Sequence, residues 1–201
     1  MLHGCKQNPD DFAAGTRMNE IADAHDCIVV YPAQTNAKNI SHCWNWFNNS
    51  DQQRDNGEPS IIADITRRVM DEYKVDHRRV YVAGLSAGGA MAAIMGQAYP
   101  ELFAAVGVHS GLAVGAASDV ASAFAAMKSG SSPSSRHCSV SRPIIIFQGD
   151  RDTTVNPKNA AQVLSQFAGD GVDVITQNHK TSHGCSYAKT IYRDRNGKEI
   201  A

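Results

Sequence analysis

Three short segments hold side chains whose types and spacing could carry out acyl transfer. The first is Gly84-Leu85-Ser86-Ala87-Gly88-Gly89. A Gly-x-Ser-x-Gly run between a strand and a helix holds its serine in a strained turn that lifts the hydroxyl above a sheet. Side chains at 84 and 88 would collide with the flanking strand and helix, which accounts for glycine at both. The following helix brings its positive end to Ser86, where a developing oxyanion would be stabilised. The second segment is His3-Gly4-Cys5, after a strand end and ahead of the first helix. Sites of this kind take one oxyanion-binding N–H from a loop after an earlier strand and one from the residue after the nucleophile. Those are the amides of Cys5 and Ala87, and the cysteine side chain is incidental to that role. The third segment, Gly149-Asp150-Arg151-Asp152-Thr153-Thr154-Val155, follows another strand and offers a carboxylate to orient a base. Asp150 and Asp152 both qualify. Loop position favours Asp152 by a narrow margin, and either could instead cap the next helix.

The base is harder to place. Chain order in such sites is Ser, Asp, His, and after Asp152 only His179 and His183 follow. His183, before Gly184 and after a strand and a turn, can be read as the base from spacing alone. His109, at a strand end, could line the pocket but precedes the acid. His3, His25, His42, His77 and His137 read as surface or structural residues.

The elements that must position these groups follow from periodicity. Helices are expected at 10–25, 59–73, 90–99, 119–128 and 157–167. Strands are expected at 27–31, 80–83, 103–108 and 143–147, with further candidates at 172–176 and 187–192. Residues 33–57 form a long loop broken by Trp44, Trp46 and Phe47, and residues 129–135 form a serine-rich connection. Residues 112–135 are expected to shape the acyl or leaving-group pocket. Short apolar strands alternating with helices imply an α/β fold, with a mostly parallel sheet and helices on both faces. Ligands bind at the carboxyl ends of such strands, where all three segments fall. The expected architecture is an α/β-hydrolase domain spanning 1–201, with its first strands and final segment cut away.

Composition narrows the class. The chain has 201 residues, with 42% hydrophobic, 19% charged and a net charge of −1. It lacks the basic excess that nucleic acid or an anionic membrane surface selects. No apolar run approaches the roughly 18 residues of a membrane-spanning helix. No His, Cys or carboxylate cluster has metal-ligand spacing, so no metal or cofactor is implied. The cysteines, Cys5, Cys27, Cys43, Cys138 and Cys185, are either scattered buried thiols or one or two disulfides of an exported protein, and their odd number leaves at least one unpaired.

The motifs together resemble the poly(3-hydroxybutyrate) depolymerase-like esterases, whose relatives include secreted feruloyl and acetylxylan esterases. The resemblance rests on Leu2-His3-Gly4-Cys5-x-Gln7, Tyr31-Pro32-x-Gln34, Cys43-Trp44-Asn45-Trp46-Phe47, Gly84 to Gly89, His109-Ser110-Gly111 and Gly149-x-x-Asp152-x-x-Val155. It implies Ser86 as nucleophile, Asp152 rather than Asp150 as acid, a bridge between Cys5 and Cys43, and secreted or periplasmic location. It also implies a base in a Gly-His segment beyond residue 201. The substrate would be an ester of a hydroxyalkanoate polymer or of a plant polymer. A rival expectation is a non-catalytic binding protein on a hydrolase scaffold, with Trp44, Trp46 and Phe47 as a surface for a sugar or polymer; Trp44 could also line the ester pocket.

Overall fold

The structure, a computed structural model, describes residues 1–130, 142–168 and 172–201. Its centre is a parallel sheet of β1 (Tyr81–Leu85), β2 (Ala105–His109) and β3 (Ile144–Phe147), in that spatial order. The register sets Leu85 beside His109 and His109 beside Phe147, so the three carboxyl ends lie in one row. Leu2 extends the sheet past β1 through a parallel bridge to Gly84, its N–H donating to the Ala83 carbonyl at 2.8 Å.

Helix α4 (Ala87–Ala98) is the hub. Its Ala- and Gly-rich sequence is buried from Ala87 to Gly96, so it can lie close on the sheet. A Cβ on Gly96 would come within 2.4 Å of the Val106 side chain. Val82, Val106, Val108 and Ile144 point toward this helix side, with Met91, Ile94, Met95 and Phe167 in the same core. Helices α3 (Gly57–Tyr73), α5 (Val120–Ser129) and α6 (Lys158–Ala168) complete the layer. The α5 start is held by a reciprocal capping box between Asp119 and Ser122. Helices α1 (Pro9–Thr16) and α2 (Met18–Ala24) follow Leu2 in the chain. Tyr81 of β1 and Ile145 and Phe147 of β3 are exposed.

Several expectations change. The helix expected at 10–25 is two helices, broken at Arg17 in the left-handed region (φ 52°). Residues 27–31 are not a buried strand: Ile28 is 53% exposed, and the contact with the sheet is Met1 N donating to Val30 O. A strand needs a ladder of hydrogen bonds along its length, and among the described residues this segment has that one bond toward the sheet. Leu112, Ala113, Val114 and Ala117 are core rather than pocket wall. Gln166 clamps this stretch, its amide donating to Val114 O at 2.8 Å and accepting from Val114 N at 2.9 Å. From residue 131 on, the expected serine-rich connection lies outside the described residues, as do His137 and Cys138. The last strand candidates form a separate antiparallel ribbon of β4 (Asp173–Lys180) and β5 (Ser186–Arg193). The chain then folds back, and Ile200 O accepts from Ile144 N at the start of β3. No helix among the described residues is long and apolar enough to cross a membrane.

Cys5 and Cys43 are bridged across 38 residues, while Cys27 and Cys185 are free and exposed rather than buried. The bridge ties the His3-Gly4-Cys5 loop to the long aromatic loop. Closing a loop of that length in the unfolded chain contributes about 2–4 kcal/mol of stability. Urea unfolding of a Cys5→Ser/Cys43→Ser variant is therefore expected to show a loss of about that size; an unchanged midpoint would mean the bridge constrains nothing.

Candidate active site

Ser86 occupies the turn between β1 and α4 with φ 55° and ψ −118°. A non-glycine residue in this region costs on the order of 1–3 kcal/mol and persists only where its surroundings hold it. Those surroundings are main chain. Ser86 N donates to His109 O at 2.9 Å, and Ser86 O accepts from Ala90 N at 2.9 Å. A Cβ on Gly84 would sit 2.2 Å from Gly88 O, and one on Gly88 would sit 2.1 Å from Leu2 O. Both glycines are therefore required by backbone contact. The Ser86 side chain does not cap α4 and the residue is partly exposed, so its hydroxyl is available at the positive end of the helix.

The His3-Gly4-Cys5 loop lies against this turn. A Cβ on Gly4 would be 3.6 Å from Ser86 Cβ and 3.5 Å from Leu85 O. The loop is pinned by Gly4 N donating to Gln7 Oε1 at 2.8 Å and Lys6 N donating to Ser41 O at 2.7 Å. Among the described residues, the amides of Cys5 and Ala87 donate to no protein acceptor. Both predicted oxyanion donors are thus free and border the Ser86 turn.

The acid loop separates its two carboxylates. The Asp150 side chain is 94% exposed, with Arg151 3.9 Å away. Asp152 is embedded: Oδ1 accepts from Thr154 N and Val155 N, each at 2.9 Å, and Oδ2 accepts from Gln148 Nε2 at 3.1 Å. A favourable electrostatic contact from the Ser110 side chain adds to these. These donors, the Val155 amide first, hold the carboxyl below its usual range against a smaller opposing effect of burial. Ser110 gives this contact a place in the sheet, because Ser110 N donates to Phe147 O at 2.9 Å. Ser86, Ser110 and Asp152 thus follow the carboxyl ends of β1, β2 and β3 in turn.

The histidines divide clearly. His109 ends β2, exposed and stacked on Phe147 with centroids 6.1 Å apart. His179 stacks on Tyr187 on the β4–β5 ribbon at 5.2 Å. His183 lies in the turn of that ribbon, exposed, with Nδ1 3.3 Å from Ser182 Oγ. Among the described residues no histidine hydrogen-bonds to Ser86 or Asp152. His25 and His77 are exposed, but His3 is 1% exposed, buried rather than at the surface. The aromatic loop also differs from expectation. Trp44 and Trp46 are 4% and 5% exposed and belong to the main core, so they do not form an exposed binding platform. Trp44 packs against the His3 ring at 5.5 Å.

The loop carrying these tryptophans is organised by Glu58, a buried carboxylate at the start of α3. It accepts from Asn45 N at 2.7 Å, from Asn45 Nδ2 at 2.6 Å, and from Gln34 Nε2. Burial pushes the Glu58 carboxyl up, and these hydrogen bonds partly offset it. No local pattern marks Glu58 in sequence, and the motifs that contain Gln34 and Ser110 do not show the partners these residues take. Gln148 is equally silent, since its role comes from the way the 149–155 loop folds back on it.

Three comparisons bear on this geometry. The family model described as esterase PHB depolymerase matches residues 1–179. Poly(3-hydroxyalkanoate) depolymerase C of Paucimonas lemoignei is 31% identical, over 99% of this chain and 50% of its own length. Poly(3-hydroxybutyrate) depolymerase of Ralstonia pickettii is 31% identical, over 98% and 44%. The chain therefore spans about half the length of these curated relatives. Feruloyl esterase B of Thermothelomyces thermophilus is 28% identical over 96% of this chain and 72% of its own. The solved acetyl xylan esterase from Aspergillus awamori superposes with a TM-score of 0.80 at 20% identity, covering 98% of this chain and 78% of that one. The fold is that of the α/β-hydrolase esterases.

The contrast between the two aspartates is measurable. Asp152→Ala leaves two amides without their acceptor and should cost about 1–2 kcal/mol in urea unfolding at neutral pH; Asp150→Ala should stay within about 0.5 kcal/mol. Because the folded Asp152 carboxyl titrates below its unfolded value of 3.8, its contribution is full above that value. It is lost as pH falls through the native one, so the gap between the variants should close on acidification. Equal losses at neutral pH would remove Asp152 from its structural role.

Proposed function

The chain belongs to the esterase PHB depolymerase family, and from that premise we propose that it is the core of a serine carboxylic ester hydrolase working through an acyl-enzyme. The observation that supports this most is the Ser86 turn, with a strained serine beside two unpartnered amides. In the proposed reaction a base takes the Ser86 proton and the serine oxygen attacks the ester carbonyl. The amides of Cys5 and Ala87 hold the oxyanion, the alcohol leaves, and water then frees the acyl group. Asp152 is the acid that orients the base. No described histidine is placed to be that base, and the relatives are longer. We therefore assign the base to chain beyond residue 201, with His183 as the competing candidate.

For substrate, the two relatives at 31% identity over nearly the whole chain carry polyester-depolymerase names, and a hydroxyalkanoate polyester or oligomer is the first choice. A feruloyl or acetyl ester of plant polysaccharide is second, supported by the relative of which the chain covers 72%. The Cys5–Cys43 bridge supports a secreted or periplasmic location, where disulfides persist.

A fluorophosphonate probe applied to the whole protein, with the chain that carries the proposed base, and read by mass spectrometry tests the class of activity. Ser86 should be the serine labelled, Ser86→Ala should abolish the label, and His183→Ala should leave its rate within about twofold, since a base changes rates by about 10²–10⁴-fold. Absence of label at Ser86 would overturn the esterase reading. Loss of label with His183→Ala would move the base to the ribbon turn.

A further inference from the structure

We propose that His3 is a positioning residue for the oxyanion site, acting through the peptide between Gly4 and Cys5; this rests on the reading of Cys5 N–H as an oxyanion donor. The ring is held at both nitrogens. Gln34 N donates to His3 Nε2 at 3.1 Å, so Nε2 bears the lone pair. Nδ1 therefore carries the proton and donates it to Gly4 O at 2.8 Å. Burial keeps the ring neutral by lowering its proton affinity, with His42 adding to the effect and the Gly4 contact opposing it. A charged ring would present N–H to Gln34 N–H and break the arrangement.

The consequence for the site follows from peptide geometry. In a trans peptide the carbonyl and the next N–H point in opposite directions. Drawing Gly4 O onto the His3 ring turns Cys5 N–H away from that ring. Gln7 N supports the same orientation with a longer contact to Gly4 O, 3.4 Å. Cys5 N–H has no protein acceptor among the described residues, and Gly4 abuts Ser86. His3 thus sets where the free amide points without itself meeting a substrate.

The support continues behind the ring. Gln34 can present its N–H because its side chain is tied to the buried carboxylate of Glu58 and to Cys43 O, the latter at 3.2 Å. Trp44 closes the remaining side of the ring. A run of contacts therefore leads from Glu58 through Gln34 and His3 to the Gly4–Cys5 peptide. The disulfide fixes the same peptide from the cysteine side.

Three variants separate donor from filler. An Asn amide nitrogen can stand where His Nδ1 does, a Gln amide reaches only the Nε2 position, and Phe keeps the ring volume with no donor. The readout is the second-order rate of fluorophosphonate labelling of Ser86 in the whole protein, with the chain that carries the proposed base, and folding is checked by circular dichroism. His3→Asn should stay within about threefold of the parent. His3→Gln and His3→Phe should each fall at least about tenfold, a fraction of the 10²–10³-fold loss for deleting an oxyanion donor outright. If Phe does not fold, the Asn–Gln pair carries the test. Equal rates for Asn and Gln, or retention in Phe with loss in Asn, would show packing alone and overturn the proposal. A parent protein with no label at Ser86 would instead sink the esterase reading and this proposal with it.

Discussion

Three stretches of main chain meet at the Ser86 turn with no side chain between them. Gly84 lies against the carbonyl of Gly88, and Gly88 lies against the carbonyls of Leu2 and His3. This packing holds Ser86 at positive φ and keeps the His3-Gly4-Cys5 loop within reach of it. It also dictates the small residues of α4. A helix that starts on such a turn must run close over the sheet, and Ala90, Ala92, Ala93 and Gly96 permit that approach. The buried row of Val82, Val106, Val108 and Ile144 then fits beneath it. Interiors packed at crystal-like density transmit such constraints because they cannot deform to absorb them.

The rest of the site hangs on the same row of strand ends. Beyond β1 and β2 the hydrogen-bond ladder continues through Ser86 N to His109 O and Ser110 N to Phe147 O. Each strand thus fixes the residue that follows its neighbour. Gln148, just past the end of β3, passes this order to Asp152 by donating to its Oδ2. The His3-Gly4-Cys5 loop is fixed from the other side, by the disulfide and by the His3 ring. Rigid elements therefore hold Ser86, Asp152 and both amides, and among the described residues His183 makes no hydrogen bond to any of them.

Legibility in sequence tracked locality. The Ser86 turn is a local pattern, and strand, turn and helix all fell where expected. The helices over 57–73 and 158–168 were equally readable from spacing. What depended on partners was not. Residues 27–31 have strand composition, yet among the described residues a single main-chain bond, from Met1 N to Val30 O, reaches them from the sheet side. Trp44 and Trp46 look like exposed aromatics in a polar loop, yet Glu58 draws that loop inward through Gln34 and Asn45. Asp150 and Asp152 are chemically alike, and what separates them physically is the set of donors on Asp152, the amides of Thr154 and Val155 and the Gln148 side chain. His3 was classed with the surface or structural histidines because a His-Gly pair shows neither its burial nor the Gln34 amide 31 residues away.

The central claim is that Ser86 faces two free backbone amides across the turn. A crystal structure of the protein after reaction with a phosphonate ester tests it directly. Phosphorus should be bonded to Ser86 Oγ, with one phosphonyl oxygen within about 2.7–3.1 Å of both Cys5 N and Ala87 N. An adduct whose oxygens point to solvent or to other donors would contradict it, as would an unmodified Ser86.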